Sequence, residues 1–277
     1  MNHYSIVASD LDGTLLNNSS KVSGENLKAI QTLCRIGVCF VPSTGRTFSE
    51  IPLQIRNNDS IRYYIYSNGA VVFDRLTGKR ILNCISNQTA RQILDLLAGF
   101  EAEVNIRHNG QLVIDAALRD KQYYDYHHVI DAHIDCIEHY STRVENFADY
   151  AYHADNIEVF TAFFHNYEDK MNCKKRLERI PELRVVEASE YNLEIVNACA
   201  GKDNALYALA DMLSIPRDQT ISIGDSDNDS KITQAAGLGL VVSNACDSLK
   251  RIADRIICSN EEHVIPYVLS RYFSATE

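Results

Sequence analysis

The stretch VASDLDGTLL, residues 7–16, sets two aspartates one residue apart directly behind an apolar run, with Gly13, Thr14 and two leucines following at once. Two carboxylates held this close repel each other unless a cation or a shared proton compensates. Asp and Gly also suit an ordinary turn at a strand end. What separates the readings is whether other parts of the chain bring polar side chains to the same place.

Residues 4–9 (YSIVAS) read as a short buried strand. A helix follows, with Ser23 at its N-cap, Leu27, Ile30 and Leu33/Cys34 at helical spacing, and Gly37 ending it. VCFVPSTGR (38–46) is a second buried strand leaving through a polar turn, and YYIYSNGA (63–70) a third. Strand, helix, strand in that order predicts parallel pairing in an α/β, doubly wound sheet. Later, Gly201 to Leu213 is amphipathic through Leu206, Leu209 and Leu213, and Pro216 stops it. TISIGDSDND (220–229) and LGLVVSN (238–244) supply two more apolar strands that end in polar clusters.

Between the two halves the character changes. Residues 84–190 hold seven of the nine histidines and alternate helix-like stretches (88–99, 168–179) with strand-like ones (102–107, 111–115, 156–163, 184–188). This predicts an inserted α/β domain, with core segments at 1–83 and 191–277, the latter opening on the strand YNLEIVNA.

Bulk properties narrow the class. A chain of 277 residues with 45% hydrophobic and 23% charged content is an ordinary globular protein. The formal net charge of −10 argues against nonspecific binding to nucleic acid or to an anionic membrane. Any anionic substrate must therefore be drawn by a metal or a few fixed cations. Eight cysteines without a CxxC pair read as buried thiols in a reducing compartment. The chain runs almost directly from Met1 into its first strand, and there is no run of 18 apolar residues. A cytoplasmic protein is the expectation.

Four of the predicted core strands leave polar residues at their carboxyl ends: Asp10/Asp12, Ser43/Thr44, Asn68 and Asp225/Asp229. In an open α/β sheet those ends line one crevice, where ligands bind. Four carboxylates there need compensation, and a hard dication such as Mg²⁺ prefers carboxylate oxygens while keeping positions open for phosphate. Thr44 offers a hydroxyl donor and Lys202 a point charge suited to a phosphoryl oxygen. Together these parts describe phosphoryl transfer, with an aspartate attacking phosphorus.

DLDGTLL, STGR, AGKDNAL and GDSDND, in this order and with the insertion before the third, resemble the four motifs of the haloacid dehalogenase superfamily. The placement of the insertion, with SNGA just before it, is similar to that of the Cof-type, C2B-capped phosphatases. The resemblance implies a Rossmann-like core and a Mg²⁺-dependent phosphatase acting on a small phosphorylated metabolite, plausibly a sugar phosphate. It implies Asp10 as the nucleophile and Asp12 as the general acid and then base. Thr44 and Lys202 would hold the transferring group. Asp10, the Asp12 backbone carbonyl and Asp225 would ligate the metal, with Asp229 as a further ligand or a support, and Asn228 would lie near the phosphate or metal. Gly45 and Arg46 complete the second motif. Arg46 and Asn68 either contact substrate or tie loops together.

Departures from the family pattern are Asp203 where glycine is common, Lys231 and Ile232 where Met-Leu is frequent, and SNEEHV (259–264) in place of an Asp-Gly-Val turn. None removes a catalytic group. His127, His128 and His133 lack the i, i+4 spacing of a zinc site, so cap packing is expected of them. A phosphomutase on a hexose phosphate is the alternative function. A phosphate-accepting receiver domain is disfavoured, because receivers lack the second aspartate two residues on. A silent binding protein is disfavoured by the intact catalytic set. The protein is expected to be a monomer or a small homo-oligomer.

Overall fold

Strands Ile6–Ser9 and Thr220–Gly224 are buried along their whole length, Ser9, Thr220 and Ser222 included, as expected of parallel strands covered on both faces. The computed structural model describes residues 4–117 and 119–273. In chain order the strands of the first half are β1 (Ile6–Ser9), β2 (Cys39–Pro42), β3 (Tyr63–Tyr66), β4 (Val71–Asp74), β5 (Arg80–Leu82), β6 (Ala102–His108) and β7 (Gln111–Asp115). Those of the second half are β8 (Ser141–Val144), β9 (Val159–Phe164), β10 (Leu183–Ser189), β11 (Asn192–Asn197), β12 (Thr220–Gly224), β13 (Leu238–Val241) and β14 (Arg255–Ile256).

Two units emerge. The first holds the chain up to Arg46, Ile51–Ile81 and Gly201 onward. Its main sheet has the order β14-β13-β12-β1-β2, all parallel, with Ile6 level with both Thr220 and Cys39. Ser43 and Ile65 form a parallel bridge that brings β3 beside β2, and β3-β4-β5 continue as a small second sheet. Helix Gly24–Arg35 starts at Ser23, whose Oγ accepts the Asn26 N–H at 3.1 Å. Helix Lys202–Met212 buries Ala205, Leu206, Leu209 and Ala210 against Ile6, Ala8, Val41 and Ile65.

One ion pair anchors the small sheet. Buried Asp74 accepts Arg62 Nε at 2.9 Å and Nη2 at 2.8 Å, and it also accepts Thr77 Oγ1 and the Leu76 N–H. The Arg62 bond above all, with the Thr77 and Leu76 bonds, holds its carboxyl below the usual range. A depressed carboxyl contributes stability that is complete above the unfolded value, near 3.8, and is lost as pH falls below it. Asp74→Asn is therefore expected to lower Tm at pH 7 by roughly 5 °C. The difference should shrink as a melting series is taken below pH 4.

The second unit holds Thr47–Glu50 and Leu82–Ala200. Its sheet has the order β10-β11-β9-β6-β7-β8. Alternation along the strands divides its side chains. Ile106, Val113, Phe160, Ala162, Phe164, Leu193 and Ile195 face a core closed by helices Asn87–Leu97, Phe147–His153 and Tyr167–Leu177. Leu112, Ile114 and Phe163 face the other way, toward Tyr124, Val129 and Ile137.

The second boundary differs from the expected one. YNLEIVNA was expected to reopen the core at 191, but β11 pairs antiparallel with both β9 and β10, so the inserted unit runs to Ala200. An apolar strand reads alike in either sheet; only its partners distinguish the two. Thr47–Glu50 likewise groups with the inserted unit, its Ser49 N–H bonding to the Gly110 carbonyl at 2.9 Å. Helices Lys121–Tyr126, Asp131–Tyr140 and Phe147–His153 had no clear periodicity in this His- and Tyr-rich stretch.

His127, His128 and His133 each pack against neighbouring side chains or backbone. His133 lies 4.8 Å from the Phe163 ring and pairs with Asn105 Nδ2 at 3.0 Å. Burial first and Arg107 second hold it neutral, its pKa lowered to about 3. His128 stacks on Tyr191 at 3.9 Å, and His127 Nδ1 bonds back to the Tyr123 carbonyl. Among the described residues no helix is long and apolar enough to cross a membrane.

Candidate active site

The pairing of β1 with β12 brings VASDLDGTLL level with TISIGDSDND. The Asp10 N–H donates to the Ile223 carbonyl at 2.9 Å, extending the ladder by one residue before the chain turns away. The turn Leu11–Leu15 closes through Leu16 N–H to the Leu11 carbonyl. Gly13 sits in it at φ +69°, where a Cβ would lie 2.4 Å from Asp225 Oδ2. Both the backbone conformation and the approach of Asp225 require glycine there.

Three carboxylates and one ammonium converge. Asp10, Asp225 and Asp229 each offer an oxygen, and these oxygens lie within 4.8 Å of one another. Lys202, the first residue of its helix and 3% exposed, donates to Asp10 Oδ1 at 2.6 Å and to Asp229 Oδ1 at 2.7 Å. Asp10 and Asp229 are 6% and 1% exposed. Asp229 Oδ2 also accepts the Asp225 N–H at 3.1 Å, and Thr14 Oγ1 donates to Asp225 Oδ1 at 3.2 Å. With all groups ionised, one lysine leaves two negative charges unbalanced.

That imbalance sets the titration. Burial drives the Asp10 carboxyl well above its ordinary value; Lys202 opposes this, while Asp229 and Asp225 add to it. Burial, then Asp229, pushes Asp225 up to about 6. Burial alone would lower Lys202, but the charges of Asp10 and Asp229 outweigh it and hold the ammonium above the ordinary lysine range. A buried set of hard oxygen donors with excess negative charge fits a divalent cation.

Close backbone approach builds the rest of the site. Gly69 has φ +85°, and a Cβ there would lie 2.2 Å from the Gly201 carbonyl, so the SNG turn abuts the start of the Lys202 helix. At Gly224 a Cβ would collide with the Asp229 side chain at 2.5 Å.

The second motif is held as a loop. Thr44 is buried; its N–H donates to the Ile65 carbonyl, and its Oγ1 accepts the Arg46 N–H at 3.1 Å. The Asn68 N–H bonds the Thr44 carbonyl at 3.0 Å, and Asn68 Oδ1 lies where a Cβ on Gly45 would meet it at 2.9 Å. The exposed Asp12 carboxylate takes two bonds from Arg46, Nε to Oδ2 at 2.8 Å and Nη2 to Oδ1 at 2.7 Å.

One expected placement differs. The Asp12 carboxylate stands outside the three-carboxylate cluster, because Arg46 engages both of its oxygens. Asn228 is exposed, and its Oδ1 accepts from Ser226 Oγ at 2.9 Å within its own turn. Thr14, Asn244 and Asn260 were missed. Asn244 Nδ2 donates to the Gly13 carbonyl, while its Oδ1 accepts the Asn260 N–H, and Asn260 Nδ2 donates to the Leu16 carbonyl. Asn244, at the end of LGLVVSN, and Asn260, in the SNEEHV loop that departs from the family pattern, brace the turn after Asp10. Amides far apart in sequence carry no periodic signal that links them to residue 13.

The haloacid dehalogenase-like hydrolase family model matches residues 7–269. The phosphatase YwpJ of Bacillus subtilis is 29% identical, over 95% of this chain and 98% of its own. The 5-amino-6-(5-phospho-D-ribitylamino)uracil phosphatase YitU of the same organism is 27% identical, over 97% of each. Among solved structures, a haloacid dehalogenase-like hydrolase from B. subtilis superposes with a TM-score of 0.78 at 27% identity, over 97% of this chain and all of that one. Another, from Bacteroides thetaiotaomicron, shares the fold with a TM-score of 0.81 at 20% identity, over 98% of this chain and all of that one. With its crowded carboxylates, buried lysine and inserted unit, this chain belongs to the haloacid dehalogenase-like hydrolase family and is an enzyme, its named relatives being phosphatases.

Proposed function

We propose that the protein is a Mg²⁺-dependent phosphatase of the cytoplasm that hydrolyses a small phosphorylated metabolite, of the sugar- or polyol-phosphate kind, through an aspartyl-phosphate. The observation that carries this reading is the meeting of buried Asp10 and Asp229, bridged by Lys202, with half-buried Asp225. Two relatives' names point to phosphate esters, one of them on a ribityl chain. Eight free thiols are in keeping with a reducing compartment.

Asp10, Asp225 and Asp229 would hold the ion, with the Asp12 backbone carbonyl as a further ligand. Once bound, the ion neutralises charge on the phosphoryl oxygens. A carboxylate oxygen of Asp10 bonds to phosphorus as the ester P–O bond breaks, and Asp12 gives its proton to the departing alkoxide. Asp12 then takes a proton from water, whose oxygen bonds to phosphorus as the Asp10–phosphorus bond breaks, restoring Asp10 and releasing phosphate. Lys202 and the Thr44 hydroxyl steady the transferring oxygens. Gly45, Arg46, Asn68 and Asn228 border the substrate, and Arg46 also sets the orientation of Asp12 through its two bonds.

Screening phosphorylated metabolites with Mg²⁺ by phosphate release tests the reading. Isomer formation from a hexose phosphate without phosphate release would make the protein a mutase instead. Asp12→Asn is expected to slow alkyl phosphates by about 10²–10⁴-fold. In a single turnover it should slow release of p-nitrophenol far less, because nitrophenolate departs without a proton, while the later release of phosphate is slowed for both esters.

A further inference from the structure

The three crowded carboxylates come from two strand ends, β1 for Asp10 and β12 for Asp225 and Asp229, and the loop after β13 ties the two ends together. Three bonds close a triangle. Thr14 Oγ1, in the turn after Asp10, donates to Asp225 Oδ1 at 3.2 Å. The Cys246 N–H donates to the Asp225 carbonyl at 2.8 Å. Asn244 Nδ2, two residues earlier in the same loop, donates to the Gly13 carbonyl at 2.8 Å. All of these residues lie within the first unit.

The orientation of the Asn244 amide is fixed. Its Oδ1 accepts the Asn260 N–H at 2.9 Å, and a backbone N–H can only donate. The oxygen therefore faces residue 260 and the NH2 group faces Gly13. Asn260 is itself 5% exposed, and its Nδ2 donates to the Leu16 carbonyl at 3.1 Å and to Asn18 Oδ1 at 3.2 Å. One amide grips the middle of the turn after Asp10 and the other its end.

Electrostatics oppose this arrangement. Lys202 bridges Asp10 and Asp229, whereas the hydrogen bond to the Asp225 side chain comes from a neutral hydroxyl, that of Thr14. Without an ion, repulsion among the carboxylates favours parting the Asp225 loop from the turn. The two are nevertheless in contact, Asp225 Oδ2 lying 2.4 Å from where a Cβ on Gly13 would stand. We propose, resting on the Mg²⁺ site of the phosphatase reading, that Asn244, oriented by Asn260, is a positioning residue for the ion. It holds the turn after Asp10 against the Asp225 loop, so that ligands from β1 and β12 are gathered before the ion arrives. A site gathered in advance loses less freedom on binding and binds more tightly. Asn244 acts through the Gly13 peptide, next to the Asp12 carbonyl, and not as a ligand.

The test measures Mg²⁺ affinity of the full chain by calorimetry, and by the Mg²⁺ concentration needed to raise Tm; neither requires turnover. Asn244→Ala is expected to raise the dissociation constant about tenfold, the scale on which groups that orient metal ligands act. Asn244 is exposed, so its loss should leave Tm without divalent ions within about 2 °C of wild type. Ser243→Ala, an exposed neighbour on the same loop, should change neither quantity. A purely structural role for Asn244 predicts the reverse, a lower Tm with an unchanged dissociation constant. That pattern, an equal loss of affinity in Ser243→Ala, or no Mg²⁺ binding by the wild type would overturn the proposal. If the wild type binds Mg²⁺ and Asn244→Ala weakens it, but no phosphate ester is hydrolysed, the proposal stands and the phosphatase reading is what fails.

Discussion

Asp10→Asn is expected to reduce phosphate release by about four orders of magnitude or more. Asparagine fills the same space and keeps an acceptor for the Lys202 ammonium, 2.6 Å away in the wild type, so the site stays assembled. What is lost is the carboxylate that bonds to phosphorus, because an amide oxygen is a poor nucleophile. Acid quenching during turnover should trap a phosphorylated wild-type chain and none of the variant. The variant also removes one of the two unbalanced negative charges, and Lys202 retains Asp229 at 2.7 Å. Its Tm without divalent ions should therefore equal or exceed that of the wild type, which separates lost chemistry from lost folding. Turnover within tenfold of wild type would end the covalent mechanism.

Chelation should be as damaging. Removing divalent ions with EDTA is expected to abolish turnover, and added Mg²⁺ to restore it. The reason is electrostatic: Asp10, Asp225 and Asp229 crowd together with a single ammonium, held between Asp10 and Asp229, and an incoming phosphate ester adds further negative charge. A readout independent of activity is available. An ion that binds only the folded chain stabilises it by about 2.7 kcal/mol at one hundred times its dissociation constant. Mg²⁺ should therefore raise Tm in the wild type, and much less in Asp225→Asn. Full activity in EDTA, or a Tm that ignores Mg²⁺ in both proteins, would show that the carboxylates share a proton instead.

Much of the core was legible because its signals are local. Short, largely apolar runs mark the core strands, and each ends in the polar cluster that lines the crevice. Ser23 announced its helix, since an N-cap is satisfied within four residues. The insertion was harder. YNLEIVNA belongs with β9 and β10, and only long-range hydrogen bonds say so. Its helices between 121 and 153 present aromatic and polar residues together, so neither helical nor strand spacing stands out.

The residue types of the chemistry, and the strands that carry them, can be read from the order of the letters alone. Asp10, Lys202, Asp225 and Asp229 stand at strand ends and a helix start that local patterning marks. Folding alone decides how they meet. It pairs Lys202 with two carboxylates at once, turns Asp12 toward Arg46, and braces Gly13 with Asn244. It also orients the Asn244 amide by the Asn260 N–H. The division has a physical cause. Backbone preference and apolar spacing act over a few residues, whereas charge balance and hydrogen-bond satisfaction depend on distances between residues such as Gly13 and Asn244, 231 positions apart, and these exist only once the sheets have formed.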